Sequence, residues 1–199
     1  FFFVMEIGLY FGSFNPIHVG HLVIANYMLN NSPIDELWFV VSPQNPLKEK
    51  STLLDDYQRL HMIELTIEDF PHMRASSIEF SLPQPSYTIN TLACLQGKYP
   101  NYDFSLIMGS DNIQSLNKWR NYQRILENHT IYVYPRPEYG IPEEFQNHEH
   151  IKVISAPLME ISSSFIRKTI QEGKSVQGFM PLPAWKYLDE MNFYRQSVQ

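Results

Sequence analysis

Cysteine is almost missing from this chain: Cys94 is the only one among 199 residues. A lone thiol excludes an internal disulfide framework and any Cys-rich zinc module, and it suits a reducing compartment. An excess of positive charge is missing as well. Fifteen Lys+Arg stand against 21 Asp+Glu, a net charge of −6, so no nucleic-acid partner is expected and an anion must be held by a few local groups. No run approaches the roughly 18–20 apolar residues of a membrane-spanning helix, so no membrane partner is expected either. Phe1-Phe2-Phe3-Val4 lacks a basic segment and a cleavage site, so it does not read as a signal peptide, and cytoplasm is the expected compartment. Two familiar phosphate signatures fail. No G-x-G-x-x-G follows the first apolar run. Gly173-Lys174-Ser175 resembles the end of a P-loop, but Lys168 stands where its first Gly is needed, and Gly173 follows a helical stretch instead of preceding one.

What is present is an ordinary globular composition, 44% hydrophobic and 18% charged, in a length that suits one domain. Apolar runs alternate with helical patterns. Strands are expected at Glu6–Phe11, Glu36–Ser42, Met73–Ile78, Phe104–Met108, Thr130–Tyr134 and Ile151–Ile154. Helices are expected from about Val19 to Asn30, then at Asp55–Asp69, Thr88–Lys98, Tyr122–Asn128, Ser163–Glu172 and Ala184–Met191. Strands separated by helices imply βαβ units with right-handed crossovers. The expected fold is therefore α/β, a Rossmann-like doubly wound parallel sheet. One domain over residues 5–195 ends in a small C-terminal helical part, and the stretch from Pro135 to His150 reads as a surface loop. In such sheets ligands sit at the carboxyl ends of the strands, where strand order reverses.

The first strand-to-helix turn reads Gly12-Ser13-Phe14-Asn15-Pro16-Ile17-His18-Val19-Gly20-His21. Gly12 lets the chain leave the strand tightly, and Gly20 leaves room for a ligand or a neighbouring backbone at the helix start. First-turn amides have no intrahelical partner and form a ready anion site. His18 and His21 lie three apart, so both imidazoles can face one spot and neutralise charge on a transferring phosphoryl group. A structural His pair, or two ligands of an incomplete zinc site, are the plainer readings of H-x-x-H alone. The second constellation is Ile161-Ser162-Ser163-Ser164-Phe165-Ile166-Arg167, where serines cap a helix and Arg167 shares a face with Ser163 and Ser164. Alone, it is an ordinary serine cap with a solvated Arg.

The first segment resembles the G-[GST]-[FT]-[DN]-P-x-H-x-G-H signature of the nucleotidyltransferase superfamily, and the second its I-S-[SA]-[ST]-x-I-R element. Further segments resemble the nicotinate-nucleotide adenylyltransferase family. These are Pro85-Ser86-Tyr87-Thr88-Ile89-Asn90-Thr91-Leu92 with Glu79 upstream, Gly109-Ser110-Asp111 followed by Trp119, and Arg136-Pro137. There are two departures. Asn45-Pro46-Leu47-Lys48 stands where the family often has Pro-Pro-His-Lys, and Leu82 where it commonly has Arg.

The resemblance implies transfer of the adenylyl group of ATP to nicotinate mononucleotide, giving deamido-NAD and pyrophosphate. It places ATP against Gly12, Ser13, Phe14, His18, His21, Ser163, Ser164 and Arg167, with His18 and His21 as the catalytic pair. It makes Trp119 the platform for the pyridine ring, although a Trp in a helical region is most often core. The main-chain amides of Thr88 and Arg120 would hold the carboxylate, Asp111 would hold the ribose hydroxyls or lie near the metal-bound phosphates, and Lys48 would be a phosphate contact or a solvated loop lysine. Mg2+ is the expected cofactor, held mainly by substrate phosphates and water rather than by protein ligands. The competing readings are the same chemistry on nicotinamide mononucleotide or another phosphorylated acceptor, and a non-catalytic nucleotide-binding sensor. A homo-oligomer is left open.

Overall fold

The structure, a computed structural model, describes residues 4–43 and 53–195. Six strands form one parallel sheet in the order β3-β2-β1-β4-β5-β6: β1 (Met5–Gly12), β2 (Glu36–Val41), β3 (Met73–Ser76), β4 (Tyr102–Gly109), β5 (Ile131–Tyr134) and β6 (Ile151–Val153). Strand order reverses between β1 and β4, which pair from Met5↔Tyr102 to Tyr10↔Ile107. This is the doubly wound arrangement expected from the sequence.

Five successive residues of β2, from Leu37 to Val41, are buried, because both faces of the sheet are covered. Period-2 alternation sends Ile7 and Leu9 of β1 to one core and Tyr10 to the other. The first core packs under α3 (Thr88–Lys98), α4 (Ser110–Ile113) and α5 (Tyr122–Asn128). The second lies beneath α1 (Val19–Asn31), α2 (Asp56–Ile67), α6 (Ser163–Gln171) and α7 (Leu182–Glu190). The C-terminal helices complete this second core: Ala184 and Leu188 of α7 are buried with Met62 and Ile63 of α2.

Two expectations are corrected in detail. β3 stops at Ser76 instead of Ile78, because the Ser76 hydroxyl accepts the Ile78 N–H at 3.4 Å and the chain turns into a 3-10 helix, Ile78–Ser81. The loop after β5 is less free than expected, since it carries a 3-10 turn, Glu143–Phe145, whose Phe145 is buried in the first core. Among the described residues no helix is long and apolar enough to cross a membrane.

Candidate active site

The carboxyl ends of β1 and β4 open onto two cavities. The first is lined by Tyr10, His18, His21, Tyr134, Arg136 and Ser163, among others. Its imidazoles stack with ring centroids 3.7 Å apart, so the three-residue spacing does bring both to one spot. The His18 main-chain N–H donates to His21 Nδ1 at 3.2 Å, which leaves the His21 proton on Nε2 in the neutral ring. His18 Nδ1 is buried without a hydrogen-bond partner, the condition of a group waiting for a ligand.

The rings are neutral, so what they can offer a phosphoryl group is N–H donation. Burial, helped by the Arg136 charge, pushes His18 down to about 4. His21 is pushed well below the usual histidine range by burial, then by His18 and Arg136. Both are uncharged at pH 7, and the positive charge among the residues lining this cavity comes from Arg136. That residue was visible in the sequence only as part of an Arg-Pro pair. Its guanidinium donates to the Met159 carbonyl at 3.0 Å, and its main-chain N–H donates to Ser110 Oγ at 2.8 Å. Gly20 also has a different purpose from the one expected. A Cβ there would lie 3.0 Å from His18 Nδ1, so the glycine makes room for the imidazole.

Burial of a neutral histidine has a consequence in acid. The unfolded state takes up the proton near pH 6.5, the folded His18 only near 4, so stability is full above 6.5 and falls as pH drops through this window. At pH 5 the loss from His18 should be about 2 kcal/mol. Urea denaturation at pH 7 and pH 5 checks this, with His18→Gln expected to lose less between the two than the wild type. An equal loss in both proteins would mean that His18 is not the buried neutral group.

Residues 13–17 lead from β1 to His18. Phe14 has φ +44 and turns its ring into the core, 2% exposed, between Tyr10 and Phe39 and edge-on to His21 at 5.0 Å. Its side chain therefore supports the histidines from within the core. Ser13 is exposed, and its carbonyl is held by Arg59. In α6 the cap proves to be Ser162, which accepts from the Phe165 N–H at 3.1 Å. Ser163 is freed to donate to the Pro16 carbonyl at 2.8 Å, and Arg167 donates to the Asn15 carbonyl at 2.7 Å and to Ser164 Oγ at 3.2 Å. The Arg167 Nε–H is buried and has no partner.

The second cavity, about 360 Å³, is lined by Gly12, Ser42, Glu79, Ser86, Thr88 and Trp119, among others. Its size is at the small end of ligand sites. Trp119 is both core and site: half-buried, it packs on the first core and lines the cavity. Thr88 begins α3, so its N–H has no intrahelical partner. Glu79, 3% exposed, accepts from Thr91 Oγ1 at 2.7 Å and from Ser86 Oγ at 3.2 Å, anchoring the loop that presents Thr88.

Two of the expected mononucleotide contacts, Arg120 and Asp111, do not line this cavity. Arg120 lies with its guanidinium over the Tyr87 ring at 5.0 Å and is not among the residues lining this cavity. Asp111 is not among them either; its neighbour Asn112 is. Successive positions in a helical turn point about 100° apart, so one residue faces this cavity and the other faces Arg136, whose Nε lies 3.9 Å from Asp111 Oδ1. Gly109 permits that approach, since a Cβ there would stand 2.3 Å from Asp111 Oδ1. Lys48 lies outside the described residues.

Comparison with known proteins agrees with this geometry. Residues 9–169 match the family described as cytidylyltransferase-like. A Flavobacterium psychrophilum protein named "Probable nicotinate-nucleotide adenylyltransferase" is 59% identical over 96% of this chain and its own full length. A protein of the same name from Flavobacterium johnsoniae is 58% identical over 96% of this chain and its full length. The fold matches that of a solved Plasmodium falciparum nicotinic acid mononucleotide adenylyltransferase with a TM-score of 0.80, at 22% identity and with 96% and 97% of the two chains covered. A fold built around a histidine cavity and a tryptophan cavity at one switch point, a family match over most of the sequence, and full-length relatives at more than half identity lead to one placement: this chain belongs to the nicotinate-nucleotide adenylyltransferase family.

Proposed function

We propose that this protein transfers the adenylyl group of ATP to nicotinate mononucleotide, releasing pyrophosphate and forming deamido-NAD. The observation that carries the reading is the pairing of two unlike cavities at the carboxyl end of β1. One offers N–H donors and a guanidinium to phosphates, the other an aromatic face and a helix N-terminus to a ring bearing a carboxylate. Both histidines and the Ser163-Ser164…Arg167 helix, all present at the first cavity or its rim, argue against a non-catalytic sensor.

The acceptor's 5′-phosphate oxygen attacks the α-phosphorus in line, a new P–O bond forms, and the bond to the β-phosphate oxygen breaks. A phosphate is ionised near pH 7, so no base is needed, and positioning with charge stabilisation does the work. His18 and His21 donate to the α-phosphate oxygens as charge develops there, Arg136 supplies the field, and the free Nε–H of Arg167 meets the departing pyrophosphate. Mg2+ would arrive on the triphosphate, where it neutralises phosphate charge. Among the described residues no cluster of three or more His, Cys, Asp or Glu offers it a protein cage. Asp111 Oδ1, buried and without a hydrogen-bond partner, suits a water of the hydrated ion.

Selectivity for the acid follows from donor chemistry. A carboxylate accepts the Thr88 N–H in a charge-assisted hydrogen bond, about twice as strong as the neutral one that the carbonyl oxygen of an amide offers. The difference is roughly 1–2 kcal/mol, or roughly 5- to 30-fold in kcat/KM. Pyrophosphate release from ATP with nicotinate or nicotinamide mononucleotide tests this directly. Thr88→Pro, tolerated at a first helical position, removes the donor and should bring the two rates close together. Equal rates in the wild type, or a preference for the amide, would assign the wrong acceptor.

A further inference from the structure

The loop bearing the catalytic histidines is held from the far end of the chain. Tyr194 lies beyond α7, and its Oη donates to Asn15 Oδ1, 179 residues away. The Leu54 N–H donates to the same atom at 3.2 Å, which identifies it as the amide oxygen. Asn15 is 4% exposed, and its main-chain carbonyl is the acceptor for Arg167. Tyr194 thus connects, through one residue, to the guanidinium that faces the leaving group. The connection is built deliberately. Tyr194 adopts φ +62, a conformation a bulky residue rarely takes, and such strain persists only where the surroundings impose it. Phe193 anchors the turn, 9% exposed, with its N–H on the Leu188 carbonyl at 3.1 Å. Burial keeps the Tyr194 hydroxyl protonated despite the nearby Arg167 and Arg59, so it remains a donor at every working pH.

We propose that Tyr194 is a positioning residue for adenylyl transfer, fixing residues 13–17 and the Arg167 guanidinium in the arrangement that receives the triphosphate. This rests on the reading of the histidine cavity as the ATP site. A misplacement of about 1 Å can cost roughly 100-fold in rate, so loss of the Tyr194 tether on Asn15 should cost roughly ten-fold.

The experiment is Tyr194→Phe in the full chain, which keeps the ring and removes only the hydroxyl. Expected are a roughly ten-fold lower kcat/KM for ATP, a KM for the mononucleotide within about two-fold of wild type, and a two- to five-fold weaker ATP Kd by calorimetry. A lower Tm with unchanged ATP kinetics would make Tyr194 merely structural and overturn the proposal. The cycle with Arg167→Ala is a second measurement, normalised to folded protein. If Tyr194 acts through Arg167, the Phe change should cost less than about two-fold in that background, whereas a full additive loss overturns the proposal. The wild-type control separates this from the functional reading. A wild type that binds ATP but releases no pyrophosphate with nicotinate mononucleotide refutes the acceptor, while the ATP Kd of the Phe variant still decides the role of Tyr194.

Discussion

Replacing His18 or His21 by Ala is expected to lower kcat/KM for adenylyl transfer by about 10²–10³ each, the cost of one donor aimed at developing charge. The two variants should separate in stability. His18 Nδ1 makes no hydrogen bond of normal geometry, and after its loss the His21 N–H keeps the His18 carbonyl as acceptor at 3.0 Å. His21 Nδ1 accepts the His18 main-chain N–H at the start of α1, and removing that acceptor should cost about 0.5–2 kcal/mol, as for other helix caps. The stacked rings serve as one unit, so the double variant should be little slower than either single one. Near-wild-type turnover in a folded double variant would remove the histidines from the chemistry, and a multiplicative loss would show that they act independently.

Arg59→Met is expected to destabilise the protein by about 3–5 kcal/mol, the range seen when one member of a buried charged network is deleted. Arg59 is 0% exposed and lies inside α2, yet its guanidinium reaches three loops. It donates to the carbonyl of Ser13 after β1, to that of Ser42 after β2 at 3.0 Å, and to that of Leu54 before α2 at 3.1 Å, and it pairs with Asp56. Methionine fills similar volume, so the cost should come from carbonyls left without donors in a dry interior and not from a void. Urea denaturation measures the loss. Because Ser13 and Ser42 flank Gly12, which lines the tryptophan cavity, the variant assayed in the cold should also show weaker mononucleotide binding. A change below about 1 kcal/mol would mean that water replaces Arg59 without penalty.

What was legible in the sequence was what neighbouring residues write together. Alternation of apolar runs with helical patterns gives the parallel sheet, because a strand buried on both faces must be apolar throughout. The spacing of His18 and His21 fixes their juxtaposition, because three residues at a helix start return to the same side. Thr88 at the first position of α3 was readable on the same terms, whereas Trp119 beside a cavity came only from the family resemblance.

Only the tertiary structure decided the rest. Arg136, Arg59 and Tyr194 come to the loop of residues 13–17 or to its cavity across separations that no local pattern marks. The side of α4 on which Asp111 falls was likewise undecided, since one step of helix separates the two cavities. The charge state of the histidines depends on burial, which belongs to the packed molecule and to no residue by itself. The sequence therefore determined the fold, the family and the presence of the histidine-bearing turn after β1, all of which rest on short-range periodicity and contiguous motifs. Which groups carry charge and which hold the loop depended on parallel crossovers that bring distant side chains into one low-dielectric pocket.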